Sequence, residues 1–194
     1  KSDIDHSIAT AITKSPSGQI IVAGSAISRS RIRQTITIML EKSGKVRWLT
    51  MLACEKGVTR TPLQVHHTTT GKTYVASRLR ADHLNGLGLA EGSYLCVTTF
   101  TQDGKRVAEQ IHPEAILENP MLPIRLTQGP KGGAIAFANT KNGMPPIAMQ
   151  VLDNGAAASA IRFPNGFRIT DAITDSKSTH YVVGYIGVQT SAGM

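Results

Sequence analysis

Short runs in which apolar and polar residues alternate follow one another along the whole chain. Alternation with a period of two is typical of half-buried β-strands, and a sustained 3.6-residue period of amphipathic helices is missing. One stretch, His112 to Asn119, is compatible with a single turn or a short helix after its proline. The pattern therefore predicts an all-β protein.

Two classes of turn recur between these runs in a fixed order. The first class places Xaa-Gly between two apolar runs, and its members are Ser43-Gly44, Asp103-Gly104 and Asn154-Gly155. Such pairs mark tight hairpins because glycine tolerates the positive φ of the turn. The second class precedes the runs GQIIVAG, GKTYVAS, GAIAFAN and STHYVVG, each of which follows another alternating run. The repeating unit is therefore strand, tight turn, strand, longer loop, strand, Xaa-Gly turn, strand.

A four-stranded antiparallel meander of roughly 50 residues has the length of a propeller blade. We predict a β-propeller sector of about three and a half blades, at residues 6–53, 61–112, 121–163 and 167–194, with the last blade incomplete. The alternative is a β-sandwich, which also shows turn signals about every 8–12 residues but does not require the two turn classes to recur in order. The missing blades would come from the same chain or from another chain, and two copies of three and a half blades would make seven.

The segment SGQIIVAGS…TITIMLEKSGKVRW resembles the repeats of bacterial seven-bladed β-propeller proteins, whose pattern is Gly-x-x-[VI]-x-Gly followed by L-D-x-x-G-x-x-x-W. Leu40, Gly44 and Trp48 match that pattern, and Glu41 stands where the repeat has Asp. The later units keep only the turn glycines, Gly104 and Gly155. The resemblance implies a propeller and a protein of the cell envelope, periplasm or exterior rather than the cytoplasm. It supplies no catalytic residues.

The net charge of the chain predicts the chemistry of its binding partner. The chain carries 21 Lys and Arg against 13 Asp and Glu, a formal net charge of +8, which favours an acidic partner. The residues that we predict to meet this partner lie in the turns, at Lys42, Lys45, Lys72, Lys105, Arg106 and Lys131, and in SRSRIR on the opposite propeller face, at Arg29, Arg31 and Arg33. No aromatic residue flanks SRSRIR, so a protein or an anionic envelope component ranks above nucleic acid.

Motifs for other chemistry are incomplete. HHTTTGKT, residues 66–73, lacks the first glycine of a phosphate-binding loop and precedes a strand rather than a helix. His66 and His67 are adjacent on a predicted strand and point to opposite faces, so they predict no metal site. Of the positions where sialidase-type repeats have an Asp, only Asp153 fits, without the repeat's serine and tryptophan. We therefore expect no cofactor, no metal and no enzymatic activity.

The predicted function is a non-enzymatic scaffold or protein-interaction module within a larger assembly. The first alternative is a glycan- or ligand-binding adhesin, which would need exposed aromatics such as Trp48, Phe163 or Phe167 at loop tips. The second is a propeller hydrolase, which would need carboxylates that converge in the central channel. No apolar run approaches the roughly 20 residues of a membrane-spanning helix, so we predict no membrane span.

Overall fold

The computed structural model of the chain describes residues 4–29, 33–83, 85–112, 124–140, 144–175, 177 and 179–186. Within these ranges it contains fourteen β-strands and one short 3-10 helix. The strands are β1 (Ile4–Lys14), β2 (Ile20–Ser28), β3 (Arg33–Leu40), β4 (Val46–Ala53), β5 (Val58–His67), β6 (Thr73–Ala81), β7 (Gly92–Phe100), β8 (Arg106–His112), β9 (Arg125–Gln128), β10 (Ala134–Ala138), β11 (Ile147–Val151), β12 (Ala157–Arg162), β13 (Phe167–Thr174) and β14 (His180–Ile186), and the 3-10 helix is Pro130–Gly132.

The strands form four antiparallel sheets in chain order. Three sheets are four-stranded meanders, β1 to β4, β5 to β8 and β9 to β12, and the fourth is the pair β13–β14. The predicted all-β architecture of four-stranded antiparallel blades is confirmed. The predicted short helix at residues 112–119 falls almost wholly outside the described residues; His112 is the last residue of β8.

Each sheet stacks face to face on the next one. The first strands of the sheets, β1, β5, β9 and β13, contact one another in succession and form the innermost layer. A sandwich would divide the strands between two sheets, whereas four successive sheets around a shared inner edge are the arrangement of propeller blades. We therefore refer to the sheets as the first to fourth blades.

Three of the four clusters of the hydrophobic core lie at the junctions between blades, and the fourth, which includes Leu79 and Tyr94, lies within the second blade. Side chains along each strand point alternately to the two faces of the sheet, so the side chains on one face of a blade pack against the facing side of the next blade. The first junction joins Ile21, Ala23, Met39 and Trp48 to Val65, Val75 and Phe100. The second joins Tyr74, Ala76, Leu95 and Val97 to residues of the third blade that include Leu126, Ala136, Ile147 and Met149. The third joins Ile135, Phe137 and Ala148 to Ile169 and Ala172.

No helix within the described ranges is long and apolar enough to cross a membrane.

Candidate functional site

Seven turns that are closed by the same backbone hydrogen bond lie on one side of the blades. In each turn the backbone N–H of the first residue donates to the carbonyl of the fifth, as in Glu41 to Lys45 at 2.8 Å and Thr101 to Lys105 at 2.9 Å. A glycine with φ between 81° and 86° occupies the fourth position at Gly18, Gly44, Gly71, Gly104, Gly132 and Gly155. In five of these turns the glycine N–H also donates to the carbonyl of the first residue, and glycine adopts the left-handed φ without steric cost. The 129–133 turn differs, because Lys131 also has a positive φ, of 52°. We call the surface formed by residues 15–19, 41–45, 68–72, 101–105, 129–133, 152–156, 175, 177 and 179 the turn face.

The turn face gathers the basic side chains that the sequence placed in turns. Lys42, Lys45, Lys105 and Lys131 are exposed, and Lys72 is partly exposed. Arg106 is also exposed. It is the first residue of β8 and directly follows the turn between β7 and β8. These side chains come from separate blades, and the fold brings them to one surface.

Two acidic residues of the turn face, Asp103 and Asp175, are held by hydrogen bonds within their own turns. Asp103 accepts a hydrogen bond from the Thr101 hydroxyl, which lowers the pKa of this carboxyl, and it lies 3.4 Å from the Lys105 ammonium. Asp175 accepts the backbone N–H groups of Thr179 at 2.9 Å and Lys177 at 2.8 Å, and these bonds lower its pKa. The carboxylates therefore close turns in their ionised form, while the more numerous ammonium groups extend into solvent.

Hydrogen bonds across the blade junctions hold neighbouring turns in place. The Trp48 indole N–H donates to the Gln102 carbonyl at 3.1 Å, and the Thr50 hydroxyl donates to the Gly104 carbonyl at 2.5 Å. At the next junction the Thr70 hydroxyl donates to Asp153 at 2.8 Å. The relative positions of the lysines on different blades are therefore set by the fold.

The opposite side of the blades carries the second predicted cluster. Arg29 and Arg33 are exposed there, and Arg31 lies outside the described residues. Arg33 lines a cleft of about 250 Å³ between the first and second blades, together with Gln34 and Arg60. The structure therefore places Arg33 next to a buried cation that the sequence analysis did not single out.

Arg60 is an interior ion-pair residue. Its side chain is 2% exposed, and Nη2 donates to Glu109 at 2.7 Å and to Glu55 at 2.9 Å. Burial would lower the pKa of Arg60, but the carboxylates of Glu109 and Glu55 more than offset it and keep the guanidinium charged. The Cys96 thiol lies beside this cluster, and burial raises its pKa to about 12 because burial disfavours the charged thiolate. Cys96 is therefore an unreactive core residue. The only sequence signal for this cluster was an arginine at an inward position of an alternating strand.

The segments considered for other chemistry have structural roles. Residues 68–72 of HHTTTGKT form the hairpin turn between β5 and β6. His67 Nδ1 lies 2.9 Å from the Thr73 hydroxyl, and burial lowers the pKa of both His66 and His67. In the part of the chain that the structure describes, no group of three or more His, Cys, Asp or Glu side chains is placed to hold a metal ion.

The aromatic residues considered for glycan binding are used in packing. Trp48 is 8% exposed and stacks on Phe100 with ring centroids 6.2 Å apart. Phe163 stacks on Phe167 at 5.6 Å and contacts Phe137 at 6.3 Å. These rings stabilise blade junctions and are not presented as a flat stacking platform.

Comparison with known proteins gives only distant likenesses. No protein-family model and no curated protein sequence matches the chain. Among solved structures, it is similar to a Bacteroides caccae protein of unknown function, at 12% identity and a TM-score of 0.48, over 91% of this chain and 53% of that one. It is also similar to virginiamycin B lyase from Staphylococcus aureus, at 13% identity and a TM-score of 0.37, over 94% of this chain and 68% of the lyase. The chain thus spans about half the length of the Bacteroides protein, and the architecture given above is read from its own sheets.

Proposed function

We propose that the chain is a non-enzymatic interaction module that docks its turn face onto an acidic protein surface. The observation that carries this proposal is the shared turn geometry, which presents lysines from successive blades on one surface. A charge pattern of this kind accelerates encounter with an acidic partner and selects its orientation.

Rigidity supports a docking role. The turns are hydrogen-bonded to one another across the blade junctions, as between Trp48 and Gln102 and between Thr70 and Asp153. Side chains presented by a preorganised backbone lose less conformational freedom on binding than side chains on flexible loops. The lysines therefore have a fixed spacing that a partner's carboxylates can match.

The chemistry around the turn face favours a protein over nucleic acid. Recognition of unpaired bases uses exposed aromatic rings beside the positive charge. Trp48, the aromatic residue nearest to the turns of the first junction, is buried under Gly104 and Phe100. Carboxylates of a protein surface need no such ring.

The interior carboxylates fit a structural role better than catalysis. Glu55 and Glu109 both form ion pairs with the buried guanidinium of Arg60, at 2.9 Å and 2.7 Å. A glycoside-hydrolase pair would need one carboxyl group kept protonated as an acid. The Arg60 cluster therefore supports the scaffold.

Binding of a poly-glutamate peptide tests the proposal. We expect the dissociation constant to rise with salt, and to rise about tenfold or more in a Lys42→Gln, Lys45→Gln, Lys105→Gln variant. The matched control is Arg29→Gln, Arg33→Gln, Arg80→Gln, which removes the same charge from exposed positions on the other side. Equal weakening by both triple variants would show that net charge alone binds, and tighter binding of single-stranded DNA than of poly-glutamate at equal salt would assign the surface to nucleic acid. Either result contradicts the proposal.

A further inference from the structure

A groove of about 250 Å³ crosses the innermost strands of the second, third and fourth blades. The polar residues of its walls are His66 on β5, Thr127 and Gln128 on β9, and Thr174 on β13. Each of them lies one or two positions before a turn of the turn face. The groove is therefore a concave feature at the inner edge of that surface.

Thr127 brings a buried hydroxyl group without a partner to the groove. The residue is 5% exposed, and no atom of the described residues forms a hydrogen bond with its Oγ1. A valine would have nearly the same shape and would leave no unpaired hydroxyl, so packing alone does not explain a threonine at this position. A hydrogen-bonding group that enters the groove would supply the missing partner.

His66 repeats this situation in the preceding blade. It lies two positions before its turn, as Thr127 does, and its Nε2 atom is likewise buried without a hydrogen-bond partner among the described residues. The Gln128 side chain interacts with the imidazole and partly opposes the lowering of the His66 pKa by burial, but Nε2 stays unpaired. Equivalent positions on adjacent inner strands thus contribute unpaired polar atoms to the walls of one groove.

The wall formed by β13 has a different character. The Thr174 hydroxyl donates to the Gln128 carbonyl at 3.1 Å and lies 2.7 Å from His180 Nδ1, so it is already satisfied. The other lining residues of this strand, Ala172 and Ile173, are apolar. One side of the groove therefore suits a short carbon chain, and the side formed by β5 and β9 suits a polar end group.

Positive charge lies around this part of the turn face. The turns that follow β5, β9 and β13 carry Lys72, Lys131 and Lys177, one from each blade. Lys131 and Lys177 are exposed, and Lys72 is partly exposed. Lysines that surround a groove raise the local concentration of anions.

The carboxylates nearest to these turns are already engaged. Asp175 accepts the backbone N–H of Lys177 at 2.8 Å, and Asp153 accepts the Thr70 hydroxyl at 2.8 Å. Because these hydrogen bonds hold both carboxylates in place, the lysine side chains are the mobile charges at the rim of the groove. An anionic end group is therefore favoured over a cationic one.

We propose that the groove binds a carboxylate group at the end of a short carbon chain, with Thr127 and His66 as its hydrogen-bond donors. A carboxylate accepts hydrogen bonds and donates none, so it pairs with the Thr127 hydroxyl and with a proton on His66 Nε2. The group comes from a free small acid or from an acidic side chain of a partner protein. The site needs only the carboxylate and does not rest on docking by the whole turn face.

Isothermal titration calorimetry of the purified chain with glutarate tests the site. The dissociation constant should rise about tenfold in Thr127→Val, because the bound carboxylate loses a charge-assisted hydrogen bond. Thr37→Val is the matched control, since the Thr37 hydroxyl is also buried without a described partner but lies in the first blade, away from the groove. Neither substitution removes a hydrogen bond of the described chain, so both variants should keep the thermal stability of the unmodified protein.

A second pair of measurements tests the charge of the ligand. The neutral 1,5-pentanediol has a carbon chain of the same length and should bind about tenfold or more weakly than glutarate. Lys131→Gln should weaken glutarate binding more than Lys14→Gln, which removes the same charge beside the first-blade turn. No binding of glutarate, equal binding of the diol, or equal effects of Thr127→Val and Thr37→Val would each overturn the proposal.

Competition with poly-glutamate identifies the source of the carboxylate. Displacement of glutarate by poly-glutamate supports the site and assigns it to an acidic side chain of a partner. Binding of poly-glutamate without displacement also supports the site and assigns it to a free small acid. Docking by the turn face fails by a different result, namely poly-glutamate binding that does not respond to the Lys42→Gln, Lys45→Gln, Lys105→Gln variant.

Discussion

Gly104 lies against the indole ring of Trp48 from the preceding blade. A Cβ on Gly104 would come within 2.5 Å of ring atom Cδ2, and Gly104 has φ of 81°. The same glycine therefore satisfies two requirements, a left-handed turn residue and a close approach between blades. Gly155 repeats the relationship over Ala108 in the next junction.

Substitution of Gly104 by Ala should cost more stability than the same substitution at Gly44. Both positions have positive φ, which costs an L-residue about 1–2 kcal/mol. Only Gly104→Ala also pushes a methyl group into Trp48, for which overpacking adds about 1–3 kcal/mol. Urea unfolding of the two variants, followed by circular dichroism, measures both losses. Equal losses would mean that the indole moves away freely.

Trp48 should contribute to the first junction through both its ring and its N–H group. Trp48→Ala removes the ring that stacks on Phe100 and should lower the free energy of unfolding by about 3–5 kcal/mol. Trp48→Phe keeps an aromatic ring but leaves the Gln102 carbonyl without this donor, at a cost of about 1–3 kcal/mol. Denaturant titrations followed by circular dichroism compare the two variants. A Phe variant as unstable as the Ala variant would contradict this expectation, because the phenyl ring that it retains would then contribute nothing to the junction.

Removal of the Arg60 guanidinium should leave the partly buried Glu109 carboxyl group without its ion-pair partner. Arg60→Met should destabilise the protein by about 3–5 kcal/mol, because Glu109 then loses the guanidinium at 2.7 Å and gains no other partner for it. The double variant Arg60→Met, Glu109→Gln should recover part of that loss. Arg33→Met at the exposed rim of the same cleft is the control and should change stability by less than about 0.5 kcal/mol. If the double variant loses the sum of the single losses, the two side chains do not interact energetically.

Stability should fall as the pH drops below about 6.5. Burial holds the pKa values of His66 and His67 below their ordinary value of 6.5, so the unfolded chain binds protons that the folded chain does not. The stabilising contribution is therefore complete above pH 6.5 and is lost on acidification below it. Thermal unfolding between pH 5 and 8 measures the slope.

A double variant tests the assignment of this pH dependence. His66→Gln, His67→Gln should flatten the curve between pH 5 and 6.5, whereas His6→Gln, at an exposed position, should leave it unchanged. An unchanged slope in the double variant would assign the dependence to other groups.

Alternation and turn residues were enough to predict the strands and the blade order. The Xaa-Gly turns at Gly44, Gly104 and Gly155 all have the predicted positive φ. The basic turn residues were predicted to lie on one surface, and the structure places them there. Their role in binding remains a prediction.

The contacts between blades could not be predicted from the sequence pattern. The residue that meets the next blade's turn is Trp48 in one blade and Ala108 in the following one, so the contact has no recurring side chain to recognise. Arg60 and Glu109 are 49 positions apart and meet across a complete blade. The cleft beside Arg33 is lined by residues of the first and second blades, so it also depends on contacts between residues far apart in the sequence.

By itself the sequence determined the local structure, because strand alternation and turn geometry depend on residues only a few positions apart. Tertiary structure alone decided which apolar faces are covered. Tyr74 and Tyr181 each lie next to the turn of their hairpin, at the second position of β6 and of β14. Tyr74 is buried against the third blade, whereas Tyr181 is 50% exposed, because among the described residues only Tyr74 has a further blade packed on it. In the same way, Gly104 lies against Trp48 of the preceding blade, whereas a Cβ at Gly44 would meet no described residue within 4 Å.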